Sequence, residues 1–211
     1  MNFTFLPSSL KRGFYQAIKP IILWLSQHIH HPNTITTYSL LFGSISAVFL
    51  AIGYFTGAFI FMLITGFCDA IDGSVARNKG QESKFGAVLD STFDRINEGL
   101  LFVGLSFYFL FFHPKSHSSL NSLIFFVIFG ALVCSFLISY IRAKAESLGI
   151  VCQNGILQRT ERFILLLIGV ILTALFGNDI FVLISVFAIF VLGLITVCQR
   201  LMHCYEPKKD S

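Results

Sequence analysis

The chain has 211 residues, of which 55% are hydrophobic and only 12% charged, with a mean hydropathy of +0.77. A soluble domain carries about a quarter of its residues charged, so this composition leaves too little polar surface to cover a globule in water, and its apolar content excludes disorder. The formal charge of +4 sits near the ends of apolar runs, which suits a membrane face and not nucleic acid: this is an integral membrane protein.

In chain order, residues 1–6 are apolar but too few for a signal peptide, and the basic residues follow them instead of preceding them. Over about 8–28, basic and apolar positions alternate at helical spacing. Phe14, Ile18, Ile21, Ile22 and Leu25 share one face while Lys11 and Lys19 lie off it, and Pro20 and the polar Ser26, Gln27 and His28 break the apolar run. That pattern predicts an amphipathic helix on the membrane surface.

Six apolar segments follow, at 36–54, 57–75, 88–112, 120–141, 163–176 and 180–199, each near the roughly 20 residues that cross a bilayer. The fifth is short and is extended at one end by Arg159 and Arg162. No internal repeat or linker interrupts them. The expected architecture is all-α and polytopic, one domain over 1–211, with the surface helix at about 8–28 and a six-helix bundle over 36–204. Of the 15 Lys and Arg residues, all but Lys115 fall on one side of this arrangement, so both termini are expected in the cytoplasm. The five cysteines, Cys68, Cys134, Cys152, Cys198 and Cys204, contain no C-x-x-C pair from which a zinc site or disulfide framework could start. Each is expected to pack as a small hydrophobe.

The acidic residues are unevenly spread. Four of the six aspartates lie between Asp69 and Asp94, at the ends of the second and third apolar segments. Asp69 and Asp72 are three residues apart and Asp90 and Asp94 four apart, so each pair shares a helical face. A short connection makes the two helices antiparallel neighbours and brings the four carboxylates to one pocket at the membrane boundary. Four like charges in a partly desolvated place repel strongly. Two divalent cations would balance them, and oxygen ligands without His or Cys point to Mg²⁺, Mn²⁺ or Ca²⁺. Such two-metal carboxylate sites serve phosphoryl chemistry. Gly73, Ser74, Ala76, Gly86 and Ala87 would let a ligand or helix approach closely, Arg77 could hold a phosphate oxygen, and Ser83 and Lys84 stand at the lip of the pocket.

The run D-A-I-D-G-S-V-A-R from Asp69, eight further residues, then G-A-V-L-D-S-T-F-D ending at Asp94, resembles the signature of the CDP-alcohol phosphatidyltransferases, D-x2-D-G-x2-A-R-x8-G-x3-D-x3-D. All eight specified positions match. The resemblance implies that Asp69, Asp72, Asp90 and Asp94 bind two metal ions, Mg²⁺ or Mn²⁺, and that Asp94 is also the general base. It implies that Gly73, Arg77 and Ser83 contact the cytidine diphosphate part of a CDP-diacylglycerol or CDP-archaeol donor. Pro32, Asn33, Thr34, Ile35 and Thr36, similar to the family's P-N-x-x-T entry to the first helix, would border the same nucleotide; taken alone, Asn33 or Thr34 is simply a good helix cap. A homodimer in the plasma membrane, with its site on the cytoplasmic face, is likewise implied.

Basic residues at three helix ends bear on the second substrate. Arg142 and Lys144 close the fourth segment, Arg159 and Arg162 open the fifth and Arg200 closes the sixth, a set that suits a phosphorylated acceptor gripped by guanidinium forks. Ser139 to Gly149 and Gly155 to Arg162 are most similar to the phosphatidylinositol phosphate synthases and archaetidylinositol phosphate synthases. This implies Arg142, Arg159 and Arg200 on the acceptor phosphate, with Lys144 and Arg162 as alternates, and an enzyme that moves a phosphatidyl or archaetidyl group to inositol phosphate and releases CMP. Phosphatidylglycerol phosphate synthases usually carry G-K-x-K-T where residues 157–161 read Leu-Gln-Arg-Thr-Glu; with phosphatidylserine synthases they are the nearest alternative. A proton or metal transporter, which often shows internal repeats and midplane charges, is the distant one.

Overall fold

Thr36, Ser39, Gly43 and Ser46 recur every three or four residues and form a buried stripe on the first helix, α1 (Asn33–Ala51). Small side chains let neighbouring backbones come close where lipid supplies no hydrophobic drive between helices, and α2 (Phe55–Lys79) and α3 (Lys84–Phe107) both pack on α1. At Gly43 a Cβ would collide with the side-chain amide of Asn97, and at Gly104 with the backbone of Ala47. Ser46 satisfies its buried hydroxyl by donating to the Ala58 carbonyl at 3.0 Å.

These coordinates are a computed structural model, and the residues described are 20, 33–80, 83–112, 118–152 and 154–205. Pro32 and, Pro20 aside, the surface helix expected over about 8–28 lie outside them. After α3 the chain makes one π-helical turn, Tyr108–Phe112, then α4 (Ser118–Ser147), α5 (Arg159–Phe176) and α6 (Ile180–Tyr205). Helix α6 packs against α4 and α5, while contacts of α2 with α5 and of α3 with α4 join this half to the first. Met62, Phe102, Leu105, Ile128, Leu166 and Ile189 fill the core between them. Large apolar side chains such as Phe111, Phe126, Leu175 and Phe187 face outward, as a lipid-facing surface requires.

All described elements are helical, and the fold is that of a multi-pass membrane protein. Among the described residues, α1, α2, α3, α4 and α6 are long and apolar enough to cross a membrane. Helix α5 is the short member of the expected six: it has 18 residues, and Arg159, Glu161 and Arg162 occupy its first turn. The remaining 163–176 stretch spans about 21 Å, less than a hydrocarbon core of about 30 Å.

The other helices run past their apolar segments. Helix α2 continues to Lys79, α4 to Ser147 and α6 to Tyr205. Polar ends therefore project together at one end of the bundle. The α4–α5 connection is pinned to α6 there: Leu157 N donates to Thr196 Oγ1 at 3.1 Å, and Ile156 N to Gln199 Oε1 at 3.3 Å. Arg200 Nε donates to the Asn154 carbonyl at 2.9 Å. Cys152 and Cys204, expected only to pack separately, have their sulfurs 4.0 Å apart across the same junction.

Candidate active site

Helix α2 carries Asp69 and Asp72 on its last turns, and α3 carries Asp90 and Asp94 on its first. The turn between them passes through Gly80, whose φ of 61° lies in the left-handed region that a glycine adopts without steric cost. Ser83 then caps α3 by accepting from Gly86 N at 2.9 Å. The expected side-by-side packing of α2 and α3 is not what joins them, since each packs on α1 and not extensively on the other; the carboxylates nevertheless converge, and oxygens of Asp69, Asp90 and Asp94 all lie within 4.8 Å of one another.

Asp72 stands beside this trio on the side of α1. It is buried, accepts from Thr36 Oγ1 at 3.1 Å and from Gly73 N at 2.5 Å, and has Asp90 and Asp69 as its acidic neighbours. Asp72 and Asp94 are buried, and Asp69 and Asp90 are half-buried. The donor set, hard oxygen throughout, fits a divalent cation that takes oxygens at about 2.0–2.6 Å; a spacing under 4.8 Å is what carboxylates around one shared ion, or around two ions about 3.5–4 Å apart, present.

Of the nucleotide candidates, those at the starts of α1 and α3 come together, while Gly73 and Arg77 lie on the last turns of α2. Asn33 opens α1 beside Gly86, where a Cβ would lie 3.2 Å from Asn33 Oδ1 and 3.0 Å from Ser83 Oγ. The motif's second glycine thus lets the starts of α1 and α3 meet. Ile35 is buried with Ile71 and Val75, Thr36 binds Asp72, and Thr34 is half-buried. Arg77 is exposed and donates from Nη2 to Ser74 Oγ at 3.1 Å. Gly73 is different. A Cβ there would meet nothing closer than Arg77 Nη1 at 3.6 Å, an ordinary contact, so packing does not require glycine at this position.

On the opposite side the aspartates border a cavity of about 260 Å³. Asp69, Asp90 and Asp94 form one wall, and Arg95, Arg142, Arg159, Arg162 and Arg200 line the rest, with Ser139, Gln158 and Thr160 between them. The arginines differ in what already holds them. Arg142 is half-exposed and pairs with Glu146, one turn along α4, at 2.8 Å. Arg200 is buried and donates from Nε and Nη1 to the carbonyls of Asn154 and Ile138. Arg159 bridges two aspartates, with Nη2 3.1 Å from Asp69 Oδ1, Nη1 3.5 Å from Asp69 Oδ2, and Nη1 also paired with Asp94 Oδ2. Arg162, an alternate for the acceptor, is turned to Glu98 instead, with Nε and Nη2 at 2.6 and 3.0 Å from the two carboxylate oxygens. Lys144 is exposed at the end of α4.

Glu98, Arg95 and Asn97 are site residues that sequence reasoning missed. Glu98 lies four residues after Asp94, so the four-residue register of Asp90 and Asp94 continues to it, and that was a readable cue. Asn97 had none: its Nδ2 donates to the Ser39 carbonyl on α1 at 3.3 Å, a contact between residues far apart in the chain.

A model of the CDP-alcohol phosphatidyltransferase family matches residues 29–197. The chain belongs to that family. It is therefore a metal-binding membrane transferase of phospholipid synthesis, as its aspartate motif implied. Among its relatives, the archaetidylinositol phosphate synthase of Methanothermobacter thermautotrophicus is 32% identical over 82% of this chain and 84% of its own. The phosphatidylinositol phosphate synthase of Mycobacteroides abscessus is 31% identical over 95% of this chain and 89% of its own. Crystal structures of the Mycobacterium tuberculosis phosphatidylinositol phosphate synthase superpose with TM-scores of 0.79 with CDP-DAG bound and 0.80 in complex with manganese and citrate. Each is 27% identical and covers 91% of this chain; the share of its own chain covered is 96% and 91% respectively.

Proposed function

We propose that this CDP-alcohol phosphatidyltransferase moves the phosphatidyl or archaetidyl group of a CDP-linked lipid to inositol phosphate and releases CMP. The observation that carries the reading is the adjacency of two unlike compartments. Three carboxylates that suit cations form one wall of a cavity whose other walls carry five arginines. A phosphorylated acceptor needs such a cavity, and serine, which has no phosphate, does not.

In this reading Asp69, Asp72, Asp90 and Asp94 hold two Mg²⁺ or Mn²⁺ ions, which would neutralise the donor's diphosphate and polarise the phosphorus under attack. Asp94 takes the proton of the attacking inositol hydroxyl; its place in the acidic wall that lines the cavity supports that role. Arg142, Arg159 and Arg200 orient the acceptor phosphate, and their different exposure suggests different shares. Arg142 and Arg159, held by carboxylates but still partly exposed, turn their guanidinium groups to it, whereas Arg200, tied to two carbonyls, supplies a fixed positive wall.

Residues 32–36, Gly73, Arg77 and Ser83 cradle the CDP group. The unfilled space over Gly73 supports that assignment, since a ligand's phosphates can then approach the helix backbone. The excess of Lys and Arg on one side of the apolar segments supports a cytoplasmic site with both termini on that side; a homodimer in the plasma membrane rests on the family resemblance alone.

The test is an acceptor competition. Purified protein is given CDP-diacylglycerol or CDP-archaeol with Mg²⁺, and inositol phosphate, glycerol phosphate and serine in parallel. CMP release is expected with inositol phosphate alone and is lost on chelation. Preferred turnover of glycerol phosphate or serine would reassign the acceptor.

A further inference from the structure

Helices α3 and α5 are joined by two acid–base pairs one turn apart. The inner pair, Glu98 with Arg162, is closed. Arg162 is 1% exposed and both carboxylate oxygens of Glu98 are engaged. The outer one is not: the Arg159 side chain keeps 35% of its surface, while those of Asp69 and Asp94 keep 8% and 10%. Arg159 thus lies over two nearly buried carboxylates with its free side toward the arginine-lined cavity.

The atoms it covers decide the consequence. Arg159 engages both oxygens of Asp69 and Oδ2 of Asp94. An oxygen that ligates a divalent cation at about 2.1 Å cannot also hold a guanidinium on the same side, and the two positive charges repel. Cation binding by Asp69 and Asp94 therefore competes with their pairing to Arg159, most directly at Asp69, since Asp94 Oδ1 lies outside the pair. Once displaced, Arg159 has the adjoining cavity to enter, but Arg142 and Arg200 already line it. Three guanidinium groups share that space well only around an anion.

We propose that Arg159 couples cation binding to acceptor binding. It competes with the cation for Asp69 and Asp94 and becomes a ligand of the acceptor's phosphate when the cation displaces it. Each ligand removes the alternative partner of Arg159 that opposes the other, so cation and anion bind with positive cooperativity, equal in both directions. The closed Glu98–Arg162 pair keeps α5 docked while Arg159 exchanges partners. This rests on the reading of the site as holding metal and a phosphorylated acceptor.

The test measures Mn²⁺ affinity without the lipid donor, so that no turnover occurs. Free Mn²⁺ is followed by electron paramagnetic resonance with the full chain in nanodiscs, at a free concentration held equal with and without inositol phosphate. For the wild type, inositol phosphate is expected to tighten Mn²⁺ binding about tenfold, within the 5–150-fold range of ordinary couplings. Arg159→Gln is expected to bind Mn²⁺ more tightly than wild type without the anion and to respond to the anion by less than about twofold. Arg159→Lys, which keeps the charge and tolerates any need of the fold for it, should retain part of the response. If Mn²⁺ binds the wild type while both variants keep its affinity and its anion response, the coupling is overturned and the metal site stands. If the wild type binds no Mn²⁺ under either condition, the reading of the site falls and the coupling with it.

Discussion

Thr36 on α1 donates its hydroxyl to Oδ2 of Asp72 on α2, 3.1 Å away and 36 residues along the chain. The bond ties the helix that opens the nucleotide side to the acidic motif. Both residues are buried, so a missing donor leaves a carboxylate oxygen unsatisfied in a place water reaches poorly. Thr36→Val should lower stability by about 1–3 kcal/mol and reduce CMP release about tenfold at limiting Mg²⁺, while Thr36→Ser restores most of both. Thermal unfolding in detergent and a Mg²⁺ titration of activity check this. An unchanged Mg²⁺ dependence in Thr36→Val would separate Asp72 from the metal site.

Asp90 separates function from folding most cleanly. It lies in a cluster of like charges, and no arginine is bonded to it among the described pairs, unlike Asp69 and Asp94. Neutralising it relieves repulsion in the protein alone but removes a cation ligand. Asp90→Asn should therefore unfold at a temperature no lower than wild type in chelator, yet release CMP at least about a hundredfold more slowly. Asp94→Asn should lose a comparable factor or more as the base is removed, given that general base catalysis contributes about 10²–10⁴-fold. Near-normal turnover in Asp94→Asn would end its assignment as base.

The pair of Glu98 and Arg162 makes the opposite prediction. Removing one partner strands a buried charge, at a cost of about 3–5 kcal/mol. Glu98→Gln or Arg162→Met alone should give poorly folded protein with low recovery from membranes. The double variant Glu98→Leu with Arg162→Met should recover much of the stability, since well-packed apolar pairs often replace buried ion pairs at little loss. Size-exclusion profiles and melting temperatures decide the matter; a double variant no better than the singles would mean that the bond of Arg162 Nη1 to the Leu157 carbonyl, at 3.4 Å, matters as much as the pair.

Much of this was readable in the residues. Apolar runs located the six helices, and the three- and four-residue spacing of the aspartates put them on facing surfaces. The helix ends were less readable because hydropathy reports the lipid-embedded part and falls silent where a helix continues into water. Yet α2 up to Lys79, α4 up to Ser147 and the first turn of α5 are where the site is built. Partners of the arginines were not readable either. Arg159 meets Asp69 across 90 residues and Arg162 meets Glu98 across 64, and helix packing alone sets those distances. Arg200 illustrates the same limit, since its bonds to the carbonyls of Asn154 and Ile138 have no side-chain signature at the other end.

The motif's two glycines should part company when each is changed to alanine. At Gly86 the new methyl would press on Ser83 Oγ at 3.0 Å and Asn33 Oδ1 at 3.2 Å, disturbing the cap of α3 and the start of α1. At Gly73 the closest atom would be Arg77 Nη1 at 3.6 Å, and alanine in a helix is favoured over glycine by about 0.5–1 kcal/mol. Gly73→Ala should therefore melt at or above the wild-type temperature, while Gly86→Ala melts below it. If the space above Gly73 receives the donor's diphosphate, the stable variant is the one with the substrate defect: KM for the CDP-linked lipid should rise about tenfold or more, a loss of about 1.4 kcal/mol in binding, with the dependence on inositol phosphate unchanged. A Gly73→Ala protein with unaltered KM for the lipid would show that the donor lies elsewhere, and the exposed Arg77 and the cap at Ser83 would lose their assignment to it.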